Sequence, residues 1–438
     1  MSRHLHGKER RLYLIRLASC LFALSMCLIL MGPEAGAEDK RSGVVKPVVT
    51  TIKPSEASRS PMIIDYHFPT KYSAPFGIAV APDGRIWVTE SNENTLAVFD
   101  PRTNELKEYR IPSTTGLPKI DWEYDTRNKT MPERTINVYS VGSPGNIIVD
   151  KKGIVWFVLL LGNSIVRFDP EKEEFIELPV PTADARPYDL AVDSKGGIWY
   201  VQKNAGKLGY MNFETKRSFE IDLGKESHMM GIAIDKDDQI WFSNVGGNYI
   251  GRYSPETKKI KSYPITVPLS QPGMMRFDKD GMLWICNLRS RQLGVLMTDR
   301  GIYSVVDLPG YNTVPQALVP GDDNKIWMVD SMTNKIGYFN SITLKWRVFE
   351  IPTPNSQSLM IVKDKTGNLW FTQNDRNANK ISKLVVSTVP EEMGNDVGAN
   401  VAGVAQSSEN MGNLYIIIGI FAIVVLAGIA FIFRSRKR

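Results

Sequence analysis

Pro75-Phe76-Gly77-Ile78-Ala79-Val80-Ala81-Pro82-Asp83-Gly84-Arg85-Ile86-Trp87-Val88-Thr89-Glu90 is the stretch that decides how this chain folds. It holds two short runs rich in β-branched and aromatic residues, separated by an Asp-Gly turn, the pattern of a β-hairpin. Its apolar-Trp-apolar centre returns as Val155-Trp156-Phe157-Val158, Ile240-Trp241-Phe242-Ser243 and Leu369-Trp370-Phe371-Thr372. Tryptophans stand at 87, 156, 199, 241, 284, 327 and 370, with spacings of 69, 43, 42, 43, 43 and 43 residues. Each Trp run is followed by a third run, as in Thr95–Asp100, and a fourth, as in Glu108–Pro112. Four short strands in a period of about 40–45 residues are the unit of a β-propeller blade. Seven periods therefore predict an all-β, seven-bladed propeller, with the tryptophans packed between blades.

The ends of the repeat predict how the ring closes. The seventh unit runs through Leu369–Thr372 and Lys380–Val386 and lacks a fourth strand. Ahead of the first unit, Met62-Ile63-Ile64-Asp65-Tyr66-His67-Phe68-Pro69-Thr70 matches the fourth strands Glu108–Ser113 and Phe349–Thr353. An N-terminal strand is thus expected to complete the seventh blade and remove an exposed sheet edge. The propeller is read over residues 62–386. The 69-residue spacing reveals an insertion of about 26 residues at about 114–139, in the loop leading into the second blade, and it carries Trp122. Loops on a rigid scaffold are where recognition concentrates, so Trp122 is a candidate ligand contact.

Charge locates the remaining segments. The 438 residues include 53 Lys and Arg against 47 Asp and Glu, a formal net charge of +6. Residues 1–37 hold five of the basic and two of the acidic residues, and Arg434, Arg436, Lys437 and Arg438 close the chain. Setting these ends aside leaves 44 basic and 45 acidic residues, so the body has no electrostatic case for binding nucleic acid. The basic start, the apolar run Leu17–Met31 and Ala35-Gly36-Ala37 read as a signal peptide over 1–37. An uncleaved anchor gives the same topology. Leu414–Phe433 has no charge over 20 residues, enough for a transmembrane helix, and the basic tail 434–438 marks its cytoplasmic side. Residues 387–413, rich in Gly, Asn and Ser, read as a flexible stalk. The expected partners are a cell membrane, spanned once, and an extracytoplasmic protein, peptide or glycan. Cys20 and Cys27 fall in the leader, so the body keeps Cys286 alone and forms no internal disulfide.

The repeat P-x-G-I-x-x-x-x-D-G-x-[IL]-W-[FV]-T-E with N-x-[IL]-x-[RY]-[FY] behind it resembles the virginiamycin B lyase family, propellers that inactivate streptogramins. More loosely it is similar to NHL-repeat and SMP-30/gluconolactonase propellers. The resemblance covers about residues 62–386 and is strongest at Pro181-Thr182-Ala183-Asp184-Ala185-Arg186-Pro187-Tyr188. It implies a magnesium-assisted elimination that opens a cyclic depsipeptide, with histidines after the proline that opens the innermost strand. The corresponding positions read here are Phe76, Gly145, Tyr188, Met230, Gly273, Gln316 and Gln357, and none is histidine. Tyr188 stands where the family's Arg-Pro-His has its first histidine, Met230 at the next, and His228 where the family has a glutamate. Neither a phenol nor a thioether replaces imidazole in proton transfer near neutral pH.

Two functional readings follow. Residues closing the Trp strands are Glu90, Leu159, Gln202, Asn244, Asn287, Asp330 and Gln373, six of them polar. Such a ring suits a binding module, with Gln202, Asn244, Asn287, Gln316, Gln373 and Trp122 as ligand contacts. It equally suits a metal-dependent lyase or lactone hydrolase, with Glu90 and Asp330 holding Mg²⁺ or Ca²⁺. In that second reading His228, Tyr188 and Glu226 are the catalytic candidates. The missing histidine pair favours binding.

Overall fold

In the computed structural model, residues 61–112, 142–310, 312–375 and 378–390 are described, with the backbones of Val44–Val45, Val48–Ile52, Glu123–Tyr124, Val397–Gly398 and Val401–Gly403. The expectations for residues 1–37 and 414–433 fall outside them. Among the described residues no helix is long and apolar enough to cross a membrane.

The strands form seven sheets around a ring, antiparallel except where Glu123–Tyr124 runs parallel to the outer strand of blade III. Blade I comprises Pro75–Val80, Ile86–Glu90, Thr95–Asp100 and Glu105–Arg110, from the innermost strand outward. Blades II to VI repeat that order, beginning at Pro144, Pro187, Met229, Pro272 and Pro315. Blade VII takes Ile361–Lys363, Leu369–Gln373 and Lys380–Leu384 from the C-terminal side. Its fourth strand is Ile63–His67, antiparallel to Lys380–Leu384, as the sequence predicts. Innermost strands touch in succession around the ring, with blade VII against blade I. The segment read as a stalk contains two short strands. Val397–Gly398 pairs with the outer strand of blade VI and Val401–Gly403 with that of blade V.

All seven repeated tryptophans are buried between blades. Trp87 packs edge-on to Phe168 of blade II, and Trp370 stacks on Tyr66. A second reason for their spacing lies six residues upstream. Asp150, Asp193, Asp235, Asp278 and Asp364 each accept a hydrogen bond from the indole Nε1 of their own blade's tryptophan, at 2.7–3.0 Å. The other carboxylate oxygen caps the turn, as Asp193 Oδ1 does for the N–H groups of Lys195 and Gly197. One side chain thus fixes both the hairpin and the indole. Blades I and VI carry Ala81 and Gly321 at this place, and Trp87 Nε1 is buried without a partner.

Ring closure concentrates polar bonds in blade VII. Lys380 Nζ lies 2.5 Å from Asp65 Oδ2, with both side chains buried. Ser382 Oγ and Gln373 Nε2 donate to Asp65 Oδ1. A buried ion pair loses far more when one partner goes than it gains in total, because the orphaned charge stays behind.

Two outcomes follow. Ala81→Asp supplies the missing indole acceptor and should add about 1 kcal/mol, a degree or two of melting temperature. An unchanged or lower melt by scanning fluorimetry would refute it. Lys380→Met leaves Asp65 uncompensated and should cost about 3–5 kcal/mol in denaturant unfolding. A loss under about 1 kcal/mol would place ring closure elsewhere.

Candidate functional site

The candidate mouth of the channel comprises the second residue of the innermost strand in blades I to VI and its equivalent in blade VII. In blades I to VI the pairing of that strand with the Trp strand shifts register just after its first residue. Such a bulge re-aims a side chain and frees a backbone N–H. In blades I and IV a hydroxyl two residues after the tryptophan takes up that N–H, Thr89 from Gly77 and Ser243 from Gly231, and in blade VII Thr372 likewise accepts from Met360 N. Thr89 then donates to Gly145 O at 2.6 Å and Thr372 to Phe76 O at 3.2 Å, stitching one blade to the next. In blade VII the pairing of Val362 with Trp370 puts Leu359, not Gln357, at the equivalent position. Gln357 is exposed with φ 47°, in the loop before the strand. The seven mouth residues are thus Phe76, Gly145, Tyr188, Met230, Gly273, Gln316 and Leu359.

Blades III and IV carry the polar part of this mouth. Tyr188 is half-buried, and burial, with Asp189 beside it, pushes its phenol up to about 12. Lys203 Nζ lies 4.9 Å from the centre of its ring. The Lys203 carbonyl is 3.2 Å from His228 Nδ1, and His228 is exposed. Gly246 presses on the same segment: a Cβ there would come 1.7 Å from Glu226 O. The loop after the blade IV Trp strand therefore holds residues 226–228 in place. Glu226 is exposed, and Met230 is buried. Behind Tyr188, Asp189 is buried and accepts from Ile232 N and Leu190 N. Burial raises its carboxyl above the usual range, and Arg276 on the blade V inner strand, 4.0 Å away, draws it down. Lys203, Asp189 and Arg276 did not enter the sequence reading. A charged residue inside an otherwise apolar inner strand was the available signal for the last two.

The polar ring at the ends of the Trp strands does not line the channel. Glu90, Gln202, Asn244, Asn287, Asp330 and Gln373 are all buried. Strand order explains this: the Trp strand is the second of its blade, behind the innermost strand, and both of its faces pack on neighbouring blades. Their partners are internal. Gln202 Nε2 donates to Glu220 at 2.7 Å, Asn244 Nδ2 to Ser227, and Asn287 Nδ2 to Tyr303. Asp330 Oδ1 accepts from Val314 N and Met332 N. Blade III shows the pattern whole: Gln202, Lys207 and Thr182 surround the Glu220 carboxylate, and together they hold it below the usual range despite burial. Blade VII repeats it with Gln373, Lys380 and Asp65. These contacts fasten outer strands to inner ones. Gln316 alone of the expected ligand contacts stands at the mouth, half-buried, with Ser331 Oγ near its Oε1. Trp122 lies outside the described residues.

The expected Mg²⁺ or Ca²⁺ does not fit Glu90 and Asp330, which sit in different blades and are buried. Among the described residues no three His, Cys, Asp or Glu side chains gather as a metal set, so His228 and Glu226 at the mouth have no third donor of that kind there. Arg276 faces Asp189.

These features define a class: a seven-bladed propeller with a shaped, partly aromatic mouth on blades III and IV. The chain belongs to the virginiamycin B lyase family, whose model matches residues 131–393. A virginiamycin B lyase from Nocardia farcinica is 23% identical over 252 residues, 58% of this chain and 76% of that protein. A solved streptogramin B lyase is 26% identical with a TM-score of 0.65, spanning 76% of this chain and 99% of that one. A catalytically inactive histidine-to-alanine variant of Staphylococcus aureus virginiamycin B lyase, solved with quinupristin, gives 22%, a TM-score of 0.63, and 74% and 98% coverage. The extracellular domain of a hybrid two-component system from Bacteroides thetaiotaomicron shares the fold at 14% identity and a TM-score of 0.53, over 71% of this chain and 40% of that one.

Glu90 offers a direct test of the internal role of the ring. Burial first, then the Glu108 carboxylate, push its carboxyl well above the usual range, with Ser73 opposing. Blades III and VII have glutamine there. Below the unfolded pKa of about 4.5 both states hold the proton and nothing is lost. As pH rises past it the unfolded chain ionises first, so stability falls until the folded pKa is reached. Glu90→Gln should therefore raise the melting temperature at pH 7 and change little at pH 4. A gain of equal size at both would contradict the buried, protonated carboxyl.

Proposed function

We propose that this chain is a ligand-binding member of the lyase family, capturing a peptide or glycan at the channel mouth of blades III and IV without opening it. We place it outside the cell membrane, held by a single span at 414–433 with its C-terminus inside, on the strength of the apolar segment and the basic residues that follow it. The observation that carries this reading is the make-up of the mouth: Tyr188 and Met230 stand where the family resemblance expects histidines. With its phenol near 12, Tyr188 holds its proton at neutral pH and acts as a stacking and hydrogen-bonding surface rather than a base. Lys203 beside it adds a cation, and Gln316 an amide. Extracellular domains of bacterial sensor proteins share the propeller fold, which is compatible with a receptor role.

Family membership and the exposed His228 support one rival reading, a residual elimination with His228 as base and Glu226 near it. Titrating the purified protein with quinupristin by calorimetry, and following the same mixture by reverse-phase chromatography, separates the two. The binding reading expects heat with no linear product. It also expects Tyr188→Ala to weaken affinity about tenfold, because truncation takes away the stacking ring. A linear product that vanishes in His228→Ala would establish the lyase instead. Neither heat nor product, with quinupristin and with a peptide and glycan panel, would remove the mouth as a binding site.

A further inference from the structure

An outer strand leaves one row of N–H and C=O groups without a ladder partner, a ready template for another strand. In five blades the chain covers that edge itself. Val44–Val45 lies on blade I, Glu123–Tyr124 on blade III, Val401–Gly403 on blade V, Val397–Gly398 on blade VI and Val48–Ile52 on blade VII. Among the described residues, the outer strands of blades II and IV, Glu174–Pro179 and Lys259–Pro264, have no such cover.

These two edges are opposite in charge. Lys259-Ile260-Lys261-Ser262-Tyr263-Pro264 has two lysines and no acid, and its first four residues are exposed, Ile260 by 41%. Glu174-Phe175-Ile176-Glu177-Leu178-Pro179 has two glutamates and no base. Glu174 is exposed, whereas Glu177 is buried on Ser164 and Glu173, just before the strand, pairs with Lys107. The molecule already contains one pairing of this kind: Glu123 of the insertion stands opposite Arg217 on the blade III edge.

We infer that the blade IV edge of one copy takes the blade II edge of a second copy as an added strand. An antiparallel IV-to-IV pairing centred on Ile260 sets Lys259 against Lys261, and like charges directly opposite repel, whereas a II-to-II pairing gains no charge pair. Only the mixed pairing sets opposite charges against each other, Glu174 against Lys259 or Lys261. The two edges sit on different blades, so the contact is head-to-tail and leaves one free edge of each kind to recruit further copies. Exposed charges set the partner choice, so association weakens with salt.

Sedimentation velocity on the full-length chain in a mild detergent tests this. At low salt the average mass should rise with protein concentration, and high salt should reduce it. The double variant Lys259→Glu, Lys261→Glu and the single variant Glu174→Lys should each associate about tenfold more weakly. Mixing the two variants restores complementary edges and should recover association, which misfolded variants could not do. A monomer at every concentration, reversal variants that associate like the wild type, or a mixture that stays monomeric would each overturn the inference.

Discussion

The buried contact between Asp65 and Lys380 is the constraint on which the rest of this structure depends. A propeller is a sheet stack bent into a ring, and its stability comes from every blade having two neighbours. Six blades are made from consecutive residues, and the seventh needs both ends of the repeat. The strand Ile63–His67 is held there by its ladder and by a carboxylate shared among Lys380, Ser382 and Gln373. The same arrangement around Glu220 in blade III shows it to be a repeated device rather than a local accident. What distinguishes blade VII is that the device joins two ends of the chain.

Much of this fold was legible because its information is periodic. The tryptophan spacing, the turn residues and the missing fourth strand each follow from short-range rules that a propeller repeats seven times. The aspartate six residues before five of the tryptophans was visible too, but its meaning needed the indole's direction. The site was less legible, for two physical reasons. Glu90, Gln202 and Asp330 end their strands near a loop, and position alone cannot distinguish a residue facing the channel from one facing the next blade. Strand order can, since the Trp strand is the second of its blade and both of its faces pack on neighbouring blades. Gln357 misled differently: in blade VII Ser358 replaces the proline that opens most inner strands, so the register could be fixed only by the pairing of Val362 with Trp370. Lys203 reaches Tyr188 from a loop outside the repeat pattern. The reading of the apolar and basic ends as membrane segments rests on composition and falls outside the described residues.

The mouth separates backbone architecture from the side chains it carries. Its bulges and the hydroxyls of Thr89, Ser243 and Thr372 act on backbone groups. Tyrosine and methionine are accommodated in blades III and IV, whereas in blade II a Cβ on Gly145 would come 2.3 Å from the Leu160 side chain. Family membership is carried by the scaffold, on which side chains can be exchanged.

The closing bond between Asp65 and Lys380 spans 315 residues of chain. Before that bond can form, six blades must be synthesised and the strand that will finish the seventh must wait without its partner. Closing the ring therefore requires one very long-range encounter, whose chain entropy must be met before its contacts reward it. Until then the side of Ile63–His67 that will meet Lys380–Leu384 has no ladder partner. A chain of this design has most to gain from assistance late in its biogenesis, after nearly all of its structure is already in place.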